Sequence, residues 1–232
     1  MLNFLSKKAG RLQKAKPKPT KGKRAGIEKV EIVPKKIWQL SYEEVYHIIV
    51  SILVIALILA YNPLEPLASV EGMTHAIFAV AVAMFFHLIA QKIVAHRLGS
   101  MAFYRLWLPG LVFSLLLMVV GIKPIILVGA VSLTTYKFGR FGYKSRQPSI
   151  TEIGWVGVSG TVVNLILALI FSSVIALPYL AFVNALIALF SLVPIKPLDG
   201  GKVFLWNPVY WLLLVILLFL ILTPSGLLNL IP

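Results

Sequence analysis

With 232 residues, 59% of them hydrophobic, and a mean hydropathy of +0.91, the chain is excluded from the ordinary class of soluble globular domains. Charged residues make up only 13% and fall mostly between the apolar runs, so those runs can cross hydrocarbon without exposing charge. Cysteine is absent, which excludes disulfides, thiolate clusters and a cysteine nucleophile and leaves four histidines and eight acids for any metal or acid–base chemistry.

Residues 1–36 hold twelve Lys or Arg against Glu28 and Glu31, and so contribute ten of the chain's fourteen net positive charges. Lys16-Pro17-Lys18-Pro19-Thr20-Lys21-Gly22-Lys23-Arg24 has too few apolar residues to offset the entropy of ordering. The expectation is a basic, largely disordered cytoplasmic arm over residues 1–37, with a short amphipathic stretch from Phe4 to Leu12, ahead of a membrane domain over 38–232. The long apolar runs begin too late for a cleavable signal peptide. Such an arm suits anionic lipid, at about 1 kcal/mol per basic residue near the surface, or the phosphates of ribosomal RNA. It has almost no aromatics for stacking on bases.

A first span is expected from Ser41 to Tyr61, opened by the Ser41-x-x-Glu44 capping pattern and flanked by Trp38, Tyr42 and Tyr46 at the interface. His47 reads as an interfacial anchor. The loop 62–72 carries Glu65 and Glu71 but no basic residue, which puts it outside and the N-terminus in the cytoplasm of a multi-pass cell-membrane protein. A second span, Thr74 to Arg97, places His87 inside the membrane, where an ionisable group is costly and a functional candidate by default. His75 falls at the interface. His96 lies nine residues on, about 900° of helical rotation, and so faces away from His87.

Arg105 to Gly121 forms a third span or half a hairpin, broken at Lys123-Pro124. Residues 123–136 are β-branched, with helix and strand both open, and read as a short extended or re-entrant segment. Lys137, Arg140, Lys144 and Arg146 mark a cytoplasmic loop. Ser149-x-x-Glu152 opens a fourth span to about Leu177, whose Gly154, Gly157, Gly160, Ser159, Thr161 and Asn164 make a small, polar face for close helix contact, with Asn164 as cross-helix glue. A fifth span, Tyr179 to Val193, ends at Pro194-Ile195-Lys196-Pro197-Leu198-Asp199-Gly200-Gly201-Lys202, read as a broken helix lining an interior site. Asn207-Pro208 caps a sixth, Val209 to Leu222. The expected fold class is therefore all-α, polytopic, with about six transmembrane helices and the extended or re-entrant segment between the third and fourth.

The chemistry centres on Phe86 to Gly99. A zinc protease helix needs histidines at i and i+4 and a glutamate beside the first as general base. His87 is present, Leu88 stands at the glutamate position and Gln91 at the second histidine. Together with Ser159-Gly160-Thr161-Val162-Val163-Asn164 and Pro194 to Gly201, in that order, these strings resemble the site-2 protease family of intramembrane zinc metalloproteases, over most of the chain after residue 70. The resemblance implies a site-2-protease-like core in which His87 and Asp199 occupy two of three zinc-ligand positions. Gln91 replaces the third ligand, Leu88 the general base, Ser191 an oxyanion-stabilising asparagine and Thr161 a proline.

A neutral amide is a poor substitute for imidazole as a zinc ligand, and leucine cannot take a proton. The sequence therefore points to an inactive, pseudoprotease-like scaffold or adaptor that binds a transmembrane client segment in the bilayer, with no cofactor expected. One alternative is an active zinc metalloprotease using His87, Asp199 and Gln91. Another is a membrane tether for ribosome or RNA through residues 1–36. The plainest reading of His87 and Asp199 is a buried polar pair joining the broken helix to the second span.

Overall fold

The computed structural model describes residues 40–61, 70–122, 124–134, 136–139, 142–145, 147–174 and 177–222. The chain divides into Met1–Val33 and Pro34–Pro232, and all described residues lie in the second unit. The expected basic arm, most of the loop 62–72 and the side chains of Lys137, Arg140, Lys144 and Arg146 lie outside the described residues.

Among the described residues three helices are long and apolar enough to cross a membrane: α1 (Tyr42–Ala60), α2 (Val70–Arg97) and α4 (Ile150–Ser172). The first starts as its sequence suggests, because Ser41 Oγ accepts from the Glu44 amide at 3.1 Å. Only that half of the expected capping box forms. The Glu44 carboxylate turns inward, where it is buried, pairs with Lys92 Nζ at 2.7 Å and accepts from the Tyr104 amide at 3.0 Å. Lys92 is itself buried and also donates to the Ala102 carbonyl at 3.0 Å. This ion pair joins α1, α2 and the strand that follows. At Ser149 both halves of the capping box are present, with Ser149 N to Glu152 Oε2 at 2.9 Å and Glu152 N to Ser149 Oγ at 3.3 Å.

The third expected span is corrected. Residues 102–106 form strand β1 (Ala102–Leu106), and helix begins only at α3 (Leu108–Val119), with Pro109 in its first turn. Twelve residues rise about 18 Å, short of the roughly 30 Å hydrocarbon core. Strand wins at Arg105 because a partner exists: β1 pairs antiparallel with β2 (Gly129–Leu133), from Ala102 opposite Leu133 to Leu106 opposite Gly129. The stretch left open between helix and strand thus contains a strand. Helix α3 lies tight against the chain entering β2. Ser114 Oγ accepts from the Leu127 amide at 2.9 Å, and a Cβ on Gly110 would fall 2.0 Å from the Leu127 carbonyl oxygen. A hairpin, β3 (Tyr136–Gly139) with β4 (Gly142–Ser145), occupies the expected basic loop. The fold is mostly helical but not all-α.

Helix α5 (Pro178–Ser191) buries eight consecutive residues, Ala181 to Ala188, so it is enclosed by protein over that length, as a helix apolar on every side should be. The Pro-Gly string then leads into the short α6 (Asp199–Trp206), and α7 (Pro208–Leu222) follows with Asn207 Oδ1 accepting from the Val209 amide at 2.9 Å. With fourteen and fifteen residues, α5 and α7 also fall below the length of a straight span. Helix α4 is central: it packs on α2, α5 and α6. Gly154 meets the Trp206 ring, Gly157 meets Val203 and Asp199, and Gly160 meets the His87 ring, so the small face expected from sequence is the face other elements press against. Asn164 is buried on this helix, yet neither amide atom has a hydrogen-bond partner among the described residues, so the expected cross-helix bond is not formed.

Lys92→Met should leave the buried Glu44 carboxylate without its cation and cost about 3–5 kcal/mol. A lowered thermal unfolding midpoint in detergent is the expected readout, with most of the loss recovered in Glu44→Gln/Lys92→Met.

Candidate functional site

Helical periodicity sets His87 and Gln91 on one face of α2, one turn apart. Asp199 opens α6 and is brought against that face, buried at 4% exposure beside His87 at 7% and Gln91 at 0%. His87 Nε2 lies 3.1 Å from Asp199 Oδ2, and Gln91 Nε2 donates to the same oxygen at 2.6 Å. The other oxygen, Oδ1, accepts from Lys202 Nζ at 2.6 Å, and Lys202 also donates to the Val131 carbonyl of β2. A carboxylate only accepts, so the proton sits on His87 Nε2 and the Gln91 amide presents its NH₂. The structure therefore brings together His87, Gln91 and Asp199, and adds Lys202.

Asp199 lies outside the described helices that are long and apolar enough to cross a membrane. Burial alone raises its carboxyl, but the Lys202 charge and the His87 hydrogen bond act the other way and hold it down at about 2. The carboxylate is thus ionised.

A cavity of about 50 Å³ adjoins this centre, lined by His87, Leu88, Gln91, Ser191 and Asp199 together with Tyr104. That is room for a few waters. His87 Nδ1 and Gln91 Oε1 are buried without a partner among the described residues. Leu88 contributes only apolar surface. Ser191 Oγ lies 3.0 Å from Thr161 Oγ1, so these two residues are in contact with each other. His47 is half-buried beside the Tyr46 ring, His75 and His96 are exposed, and none of the three lines the cavity.

Lys202 and Tyr104 went unrecognised at the sequence level. Lys202 carried a signal, since three residues after Asp199 on a helix is the spacing of neighbours. Tyr104 carried none, because its place depends on strand pairing. Its hydroxyl donates to Ser51 Oγ at 2.8 Å, and burial pushes the phenol up from its ordinary value, with the Ser51 hydrogen bond opposing.

The donor set can be weighed against a catalytic zinc, which takes three protein ligands and leaves an open position. One imidazole and one carboxylate are of the right kind. Among the described residues no group of three His, Cys, Asp or Glu comes together. Gln91 would have to turn its carbonyl towards the metal and give up its bond to Asp199, and Lys202 already places a positive charge on the carboxylate. These residues do not fit a three-ligand zinc centre.

No family model matches the chain, and no solved structure matches it. A protein of Methanocaldococcus jannaschii named "Putative zinc metalloprotease MJ0611" is 29% identical over 186 residues, covering 75% of this chain and 90% of the relative. The chain is thus similar over most of its length to a protein named for zinc-dependent proteolysis.

Gly160→Ala should set a Cβ 2.5 Å from His87 Nε2 and drive the ring from Asp199, whereas Gly157→Ala meets its nearest side-chain atom at 3.1 Å. The first should cost about 1–3 kcal/mol and the second less. Thermal unfolding of the two variants side by side gives the order.

Proposed function

We propose that the chain is a degenerate member of the site-2 protease lineage which has exchanged its zinc centre for a closed polar lock. On this reading it works as a scaffold or adaptor that binds a segment of another membrane protein without cutting it. The observation that supports this most is Asp199, whose two oxygens receive donors from His87, Gln91 and Lys202 within 3.1 Å. An amide nitrogen and an ammonium stand where a metalloprotease needs electron-pair donors to a cation. Leu88 offers no base to activate water, a role commonly worth about 10²- to 10⁴-fold. An N-terminus in the cytoplasm, with residues 1–36 against anionic lipid or ribosomal RNA, belongs to the same proposal and follows from charge alone.

A second reading is favoured by the relative's name: an active zinc metalloprotease using His87, Asp199 and a turned Gln91. In it these three residues would hold the metal, which would supply an activated water when bound.

Metal analysis separates the two. Under the scaffold reading the full-length protein should purify with well under one zinc per chain and leave membrane-anchored substrates uncut. Leu88→Glu/Gln91→His, which restores the ligand type and the base, should bind about one zinc. Stoichiometric zinc in the unaltered chain, together with proteolysis abolished by His87→Ala, would overturn it.

A further inference from the structure

A second and larger cavity of about 450 Å³ lies against the inner one, and the two meet at Ala130 and Val131 of β2. Asp199 lines the inner cavity but not the outer, and Lys202 lines the outer but not the inner. The wall between them is therefore an ion pair. Lys202 Nζ donates to Asp199 Oδ1 at 2.6 Å, and the same ammonium donates to the Val131 carbonyl. That carbonyl is available because Val131 stands opposite Tyr104, whose amide turns to Glu44 and not to β2. In an antiparallel ladder such a pair points its backbone groups away from each other.

The backbone and the side chain of this wall differ in their freedom. At the start of α6 the backbone is wedged, since a Cβ on Gly200 would overlap the Leu192 carbonyl and one on Gly201 the Ile195 carbonyl. Lys202, by contrast, is half-buried and holds both acceptors with the single end of a flexible four-carbon stem. Asp199 keeps its bonds from His87 and Gln91 when that end leaves, so the carboxylate is not orphaned.

We propose that Lys202 is a gate: its side chain swings away from Asp199 and Val131, the two cavities join, and the inner site of His87, Gln91 and Asp199 is reached from the outer cavity. This goes beyond the scaffold reading, because it concerns how the inner site is entered and holds whether or not a metal occupies it.

The test exploits the absence of cysteine from the chain. Val128 is buried on the inner cavity, so Val128→Cys in the full-length protein in detergent gives a single thiol there. Its reaction with N-ethylmaleimide, a neutral probe indifferent to the charge at position 202, is timed by mass spectrometry. Lys202→Met should speed the reaction about tenfold or more, because a gate open in a minor population becomes open throughout. Lys202→Arg, whose fork can reach both acceptors, should leave it slow. Ser132→Trp, at an exposed position on the outer cavity, should slow the reaction both with Lys202 in place and in the Lys202→Met background. Filling the outer cavity would not reverse a general loosening of the fold, and the arm with Lys202 in place decides the matter without touching the ion pair. An unchanged rate in Lys202→Met, a rate indifferent to Ser132→Trp in either background, or an equal acceleration at the exposed control Val120→Cys would each overturn the proposal. Zinc content does not enter this readout, so its failure is distinct from failure of the scaffold reading.

Discussion

A single ionised carboxylate enclosed by apolar helices is the constraint on which this structure turns. Taking Asp199 out of water costs several kcal/mol unless donors surround it, and they come from two elements: His87 and Gln91 on α2, and Lys202 one turn along its own helix. Gathering them forces α2 and α6 against the same side of α4. That explains why α4 is glycine at both contacts, since Gly157 faces Asp199 and Val203 while Gly160 lies under the imidazole. Lys202 extends the arrangement to β2 through the Val131 carbonyl, so strand, broken helix and spanning helix share one charge centre.

A second buried ion pair performs the same service for β1. Glu44 and Lys92 tie α1 to α2, and through the Tyr104 amide and Ala102 carbonyl they hold the strand that would otherwise have begun a third helix. Tyr104 connects the two regions, because its backbone is bonded to Glu44 while its side chain lines the cavity beside Asp199. A polar skeleton therefore runs through a bundle whose core cluster is mostly aliphatic.

Seen as chemistry, the substitutions at the site are mutually consistent. On the proposed reading, glutamine at position 91 keeps hydrogen-bonding capacity where a metal ligand would stand and leucine at 88 fills space where a base would need water, while Thr161 and Ser191 satisfy each other.

Several features were legible in the order of residues alone. Apolar runs, the Ser-x-x-Glu caps, the glycine face of α4 and the histidine–glutamine spacing depend on neighbours within a few positions, and local periodicity suffices to read them. The likeness of three separated strings to one family marked His87 and Asp199 before any geometry was known. Contacts between distant residues were not legible: β1 in place of a helix at 102–106, the inward turn of Glu44, and the Tyr104 hydroxyl at the cavity. The same residues can serve a cap, a span or a strand, and only the partner across space decides which backbone and charge groups are satisfied. Sequence determined which apolar segments had to be buried in this protein, and tertiary structure alone decided which charged groups would accompany them, because a buried charge is stabilised by what surrounds it and not by what precedes it in the chain.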